Sequence, residues 1–358
     1  MQNRFVSGSR SESARLPYPL GMKQTDYGGG ELALLGAIRR RASSGGSFAG
    51  LRLGIGDDCA LLVPRRGEEL AVTTDLSIAG RHFRLDWHQP EAVGHRALGR
   101  GLSDLAAMGA RPVAAFLSLG VPRELTLAAK RCSWVQRFLD GFLALAEAHR
   151  IPLAGGDLAE SPVAVADIVL VGAVARGRAL LRSGARPGDQ LYVTGALGGA
   201  AAGLARLAVV ASAAHGNPLR IPKKMGKQLA PHLYPQPRIA QGLWLQRRGL
   251  ASAALDVSDG LSSDLAHLCA ESGVAAEVDA ALVPIAMGST LDQALDGGED
   301  YELLFTAPVV ARLPRSIAGV PVTRIGRIVK ARKGRPAITL LTPQGAQPLE
   351  ARGWEHFC

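Results

Sequence analysis

Four short stretches set carboxylates beside glycine at the borders of apolar runs: GIGDDCALL at Gly54–Leu62, GGD at Gly155–Asp157, LDVSDGL at Leu255–Leu261 and ALDGGEDYELLF at Ala294–Phe305. The neighbouring apolar runs read as strands and alternate with runs of helical period. That alternation predicts an α/β (α+β) chain, and in open α/β sheets ligands gather outside the strand ends where such loops lie. Asp75 closes the strand expected at Leu70–Thr74, Asp157 follows Ile151–Leu153 through two glycines, and Asp256 falls late in Ala253–Val257. Asp57 and Asp58 occupy a glycine-flanked loop. Any one of these acids can serve as a turn cap. If they converge, each pair about 4 Å apart repels by about 4 kcal/mol at an effective dielectric of about 20, so the cluster calls for cations. Oxygen donors without His or Cys point to Mg²⁺ rather than zinc.

The rest of the pattern divides the chain. Helices are expected at Glu31–Arg41, with Leu32, Leu34, Leu35 and Ile38 on one face, at Pro90–Met108 and at Leu125–His149; strands are expected at Val113–Leu119 and Ile168–Val174. Arg, Gly, Ser and Pro then dominate Arg176–Gly188, where a boundary is placed. The expected organisation is a flexible tail over 1–28, a first domain over 29–178 and a second over 179–358. The second carries strands at Leu191–Thr194, Ala275–Val278, Leu303–Thr306, Val322–Ile325 and Ala337–Leu341, helices at Ala200–Leu207 and Leu261–Glu271, and an insertion at Ala208–Lys227.

The formal net charge of +10 comes from dispersed basic residues without interleaved aromatics. It reads as solvated surface that steers anionic ligands rather than as a nucleic-acid site. No run of about 18 apolar residues is present, so no membrane span is expected. Cys59, Cys132, Cys269 and Cys358 lack metal-ligand spacing and read as reduced cytoplasmic thiols. Ser258, Asp259 and Gly260 precede a helix whose first amides suit a phosphate, with a metal bridging the acids to it. There is no Walker lysine, and Gly195–Gly199 does not fit a dinucleotide fingerprint.

Taken in order, GIGDDCALL, TTDLSIAGRHF, LSDLAAMGARP, GGD, RSGARPGD, LDVSDGLSSDL, GGEDYELLF and GWEHF closely resemble the thiamine-monophosphate kinase family, within the aminoimidazole-ribonucleotide synthetase superfamily. The resemblance runs from Glu31 to Phe357. It implies phosphorylation of thiamine monophosphate by ATP with several Mg²⁺ ions, by direct in-line transfer without a general base. It implies a homodimer whose N-terminal strands form a barrel across the interface, with a C-terminal α/β sandwich. By resemblance, Asp58, Thr73, Thr74, Asp75, Asp104, Asp157, Asp256 and Asp259 are metal positions. Gly156, Asp157, Arg182 and Ser258 would contact the nucleotide, and His82, Glu299 and Trp354 the thiamine monophosphate. Two departures stand out: Leu158-Ala159-Glu160 replaces a Thr-Thr-Arg run, and Gly199 replaces an Asp. The alternatives are a sister ATP-dependent synthetase and a non-catalytic nucleic-acid-binding protein.

Overall fold

The structure, a computed structural model, describes residues 31–42, 48–127, 133–213 and 225–354. The tail over 1–28, Cys132, Cys358, the end of the GWEHF stretch and the middle of the expected insertion lie outside these residues.

The N-terminal half opens with helix α1 (Glu31–Ala42) and a small ribbon of β1 (Leu51–Leu53) and β2 (Leu61–Leu62). Then come β3 (Glu68–Ile78), α2 (Pro90–Ala107), β4 (Arg111–Val121), α3 (Trp134–Ala148), β5 (Leu153–Glu160) and β6 (Val165–Ala175). The strands form one sheet in the order β3-β6-β4-β5, parallel between β4 and β5 and antiparallel elsewhere. The sheet is open in the single chain, with β3 and β5 as its edges.

The C-terminal half runs β7 (Gln190–Thr194), α4 (Gly199–Ala213), α5 (Gly226–Leu233), α6 (Ile239–Arg248), β8 (Ala253–Val257), α7 (Leu261–Ser272), β9 (Val274–Asp279) and α8 (Leu291–Asp296). It ends with β10 (Glu302–Ala307), β11 (Ser316–Ile317), β12 (Val320–Lys330), β13 (Ile338–Thr342) and β14 (Gly345–Pro348). Its main sheet has the order β14-β13-β9-β12-β7-β10-β8, with β11 paired to β12.

Helix α2 joins the halves. It is buried on nearly every face, against β3 and β6 on one side and α6, β8 and β10 on the other. Small residues allow this. A Cβ on Gly94 would lie 1.9 Å from the Phe138 carbonyl oxygen in α3, and one on Gly141 would lie 1.8 Å from that of Glu91. The two helices therefore touch backbone to backbone. Along this apolar rod Arg96, Arg100 and Asp104 recur every four residues, which puts them on one face.

Several boundaries differ from those the sequence suggests. Asp75 lies inside β3, because β6 continues the ladder in register from Glu68↔Ala175 to Ile78↔Val165. Gly155-Gly156-Asp157 likewise belongs to β5 rather than to a loop after a strand. Gly156 is required by close approach: a Cβ there would sit 1.9 Å from the Leu117 carbonyl oxygen of β4. Helix α3 starts at Trp134 behind a Ser133–Gln136 capping box, and α4 runs on to Ala213 into the expected insertion. Helices α5, α6 and α8 have no counterpart in the sequence reading. Pro231 lies inside α5, α8 has only six residues, and α6 carries Gly242 where it crosses α2 at Ala106.

Candidate active site

The two halves meet at a cleft of about 600 Å³. Thr74, Asp75, His82, Asp104, Asp256, Ser258, Asp259, Glu299 and Trp354 line it. Strands β3, β8 and the turn before β10 supply most of these, α2 supplies Asp104, and the C-terminal segment supplies Trp354. That segment is held by the Trp354 amide donating to the Asp259 carbonyl at 3.0 Å and the Gly353 amide donating to Ser263 Oγ at 2.9 Å. Trp354 is 57% exposed, at the rim rather than in a core.

Asp75, Asp104 and Asp256 form the acidic end. Thr73 and Asp75 face α2, where the Thr73 hydroxyl donates to Asp104 and Arg100 pairs with Asp75 at 2.9 Å. Ser103 Oγ donates to Asp256 at 2.5 Å. Burial pushes all three carboxyls up to about 6, with the Asp104 charge adding to the rise at Asp75 and the Asp256 charge to that at Asp104. These are hard oxygen donors crowded in a desolvated site, so they fit a divalent cation such as Mg²⁺. As they stand, no three His, Cys, Asp or Glu side chains among the described residues converge closely enough to enclose a metal.

Not every expected residue is gathered. Asp58, Gly156, Asp157 and Arg182 are exposed and do not line the cleft, although the Arg182 charge lowers the pKa of both Asp104 and Asp256. Glu160 is exposed on β5, also off the cleft. The amides of Ser258, Asp259 and Gly260 are not free for phosphate: all three donate to Asp264 Oδ2 at 3.0–3.1 Å. Asp104 has a charge partner close by: Arg100 stands one turn before it on the same cleft wall.

The acidic turn before β10 has a partner for each carboxylate. Asp296 accepts from Ser262 Oγ at 2.7 Å; Asp300 accepts the Gly198 and Ala200 amides at the start of α4; Glu302 accepts from Arg238 and Thr194. Glu299 pairs with Arg96 at 2.5 Å and faces His232 Nδ1 at 3.4 Å. Those partners hold its carboxyl well below the usual range despite burial. Glu299 and Tyr301 both adopt left-handed backbone, φ +67° and +52°, which costs non-glycine residues about 1–3 kcal/mol each. The Glu299 amide bond to the Ser258 carbonyl (2.7 Å) and the Tyr301 bond to Val257 (2.9 Å) hold that geometry.

The same lining includes an aromatic wall of Phe83, Trp87, Tyr301 and Trp354, together with His82, His88, His232, Arg81 and Arg84. A planar heterocycle fits the wall, and a polyphosphate with its cations fits the acids. The sequence reading does not single out Arg96, Arg100, His88, His232 or Tyr301. The four-residue spacing of Arg96, Arg100 and Asp104 is the signal that points to the two arginines.

Comparison with known proteins agrees. Residues 56–179 match the AIR synthase related protein N-terminal domain, and residues 186–338 match the corresponding C-terminal domain. Thiamine-monophosphate kinase of Escherichia coli K12 is 39% identical over 342 residues, 92% of this chain and 98% of that protein. The Bacillus subtilis enzyme of the same name is 32% identical over 85% of this chain and 93% of its own length. Among solved structures, thiamine-monophosphate kinase from Stenotrophomonas maltophilia superposes with a TM-score of 0.72 at 38% identity, covering 87% of this chain and 96% of that one. AaThiL complexed with AMPPCP and TMP gives 0.69 at 31%, covering 92% and 97%. The hydrogenase maturation protein HypE, at 16% identity and a TM-score of 0.65, shares the fold. On both the family matches and full-length identity, the chain belongs to the thiamine-monophosphate kinase family, within the AIR synthase related proteins.

Proposed function

We infer that the protein phosphorylates thiamine monophosphate with ATP, giving thiamine diphosphate. The observation that carries this is a cleft whose lining brings together crowded carboxylates, an aromatic set and Glu299. The acceptor is a phosphate whose second pKa is about 6, so it is already ionised at neutral pH and needs no general base. Catalysis then rests on placement and charge stabilisation. Asp75, Asp104, Asp256 and Asp259 are the residues that would hold Mg²⁺, which would offset the repulsion between two polyanions. Thr73 and Ser103 orient two of these carboxylates through their hydroxyls. The aromatic wall and Trp354 would bind the rings of thiamine monophosphate, with Glu299 and His82 beside them.

A division near residues 178–179, between β6 and β7, fits this two-part site. The proposed assembly is a homodimer closed through β3. Its outer face exposes Leu70 (44%), Val72 (62%) and Leu76 (44%) along an edge strand, an apolar stripe suited to a second copy. No helix among the described residues is long and apolar enough to cross a membrane; the proposed setting is the cytoplasm, where ATP is supplied.

The test is incubation with ATP, Mg²⁺ and either thiamine or thiamine monophosphate, with products separated by chromatography. Thiamine diphosphate forms from the monophosphate, and free thiamine stays untouched. Comparable phosphorylation of free thiamine would mean that a general base exists and that the acceptor site is misread.

A further inference from the structure

Behind Glu299 the cleft wall holds two buried histidines, His88 just before α2 and His232 in α5, 4% and 2% exposed. Their Nε2 atoms are 3.0 Å apart. Two imidazole nitrogens at that distance bond when one carries the hydrogen and the other the lone pair. The Glu299 end fixes which is which. His88 Nδ1 lies 3.1 Å from the Arg84 amide and 3.2 Å from the Arg84 carbonyl, so that end admits either role. His232 Nδ1 faces Glu299 Oε2 at 3.4 Å, and a carboxylate takes a hydrogen, so the hydrogen sits there, His232 Nε2 accepts, and His88 Nε2 donates while its Nδ1 takes the Arg84 amide. The opposite arrangement would aim a lone pair at a carboxylate.

Burial keeps both rings neutral: His88 is pushed down to about 3 and His232 is lowered too, with the Arg96 charge adding to both. Arg96 takes the other carboxylate oxygen, Oε1, at 2.5 Å. One contact on one oxygen leaves the carboxylate free to swing; a second on Oε2 fixes its plane. The His232 contact is loose: His232 Nδ1 makes no regular hydrogen bond among the described residues.

We propose that His88 and His232 are positioning residues, an ordered pair of neutral imidazoles that sets how Glu299 faces the cationic ring of the substrate. The pair acts on the affinity for thiamine monophosphate and not on that for ATP, and it rests on the function inferred above.

Two measurements test it. Long-range proton–nitrogen correlation spectra of the wild-type protein near neutral pH report tautomers directly: His88 is expected with its hydrogen on Nε2 and His232 on Nδ1. The opposite tautomers overturn the proposal without any variant. In kinetics, His232→Leu is expected to raise KM for thiamine monophosphate about tenfold and His88→Leu about threefold, the scale of losing a hydrogen bond to a charged group and of loosening one. KM for ATP stays within about twofold. His232→Asn, whose amide nitrogen takes the place of Nδ1, and His88→Gln, whose amide takes the place of Nε2, recover most of the loss. Leucine variants with unchanged KM for thiamine monophosphate, or with KM for ATP moved equally, overturn the positioning role while leaving the kinase reading intact. A wild-type protein that turns over no thiamine monophosphate overturns both.

Discussion

Glu299 shows how a residue can be legible in the sequence while its state is not. The glycines and apolar strand around it mark a turn beside a ligand, and the cleft does contain it. Yet the sequence reading leaves it as an uncompensated anion waiting for a cation. In the structure it already holds Arg96, 203 positions away, a side chain only 6% exposed. No local pattern links residues at that separation. The pairing changes what Glu299→Gln should do. It leaves a buried guanidinium uncompensated, and removing one partner of such a pair costs about 3 kcal/mol. We expect Glu299→Gln to lower the denaturant midpoint accordingly and also to raise KM for thiamine monophosphate about tenfold. Adding Arg96→Met should restore much of the stability and none of the affinity. A double variant that regained both would reduce Glu299 to a structural support of the turn.

Among elements, the strands and the long helices were legible because their apolar periods are strong, and the acids were correctly placed near strand ends at β8 and before β10. What escaped was set by partners in space. Strand β3 runs past Asp75 because β6 is there to pair with it. The loop before α7 is held from within: Asp264, four residues into the helix, folds back onto the Ser258, Asp259 and Gly260 amides. Its carboxylate fixes the shape of the loop that brings Ser258 and Asp259 to the cleft. Asp300 closes the start of α4 in the same manner. Asp264→Ala would strip three amides of their acceptor at once. A buried amide left without its acceptor costs about 1–3 kcal/mol. We expect about 2–3 kcal/mol by denaturation, together with a fall in kcat/KM of about tenfold as Ser258 and Asp259 lose their register. Asp264→Asn keeps one acceptor oxygen and should lose less on both counts. A drop in stability with unchanged kcat/KM would detach the Asp264 contacts from the site.

At the scale of the whole molecule, a chain of net charge +10 keeps its acids where they repel one another. On the proposed function, the overall field draws anionic substrates in and cations in the cleft offset its acids. This fixes a linkage between Mg²⁺ and pH. Asp75, Asp104 and Asp256 have folded-state pKa values of about 6, above the usual aspartate value of about 3.9. Between those values the folded protein binds more protons than the unfolded chain. These groups therefore favour folding at low pH, and the benefit is lost as pH rises through about 6. The buried histidines His88, His95 and His232, and the half-buried His149, work the other way, because their pKa values are lowered and the unfolded chain takes up protons first. The bare pH profile thus mixes opposing signs, but a difference does not. Mg²⁺ binds ionised carboxylates, so it should raise the melting temperature much more at pH 7.5 than at pH 5, while the histidine contribution cancels between samples with and without the ion. Asp104→Asn removes one crowded charge. It should melt higher than wild type without Mg²⁺ at pH 7.5, lose most of the Mg²⁺-dependent shift, and lose at least about a hundredfold in kcat. The measurement is a set of thermal melts at two pH values, with and without Mg²⁺, on wild type and Asp104→Asn. A Mg²⁺ shift that is the same at both pH values, or that survives intact in Asp104→Asn, would mean that the ion binds elsewhere and that the buried acids of the cleft are held apart by other means.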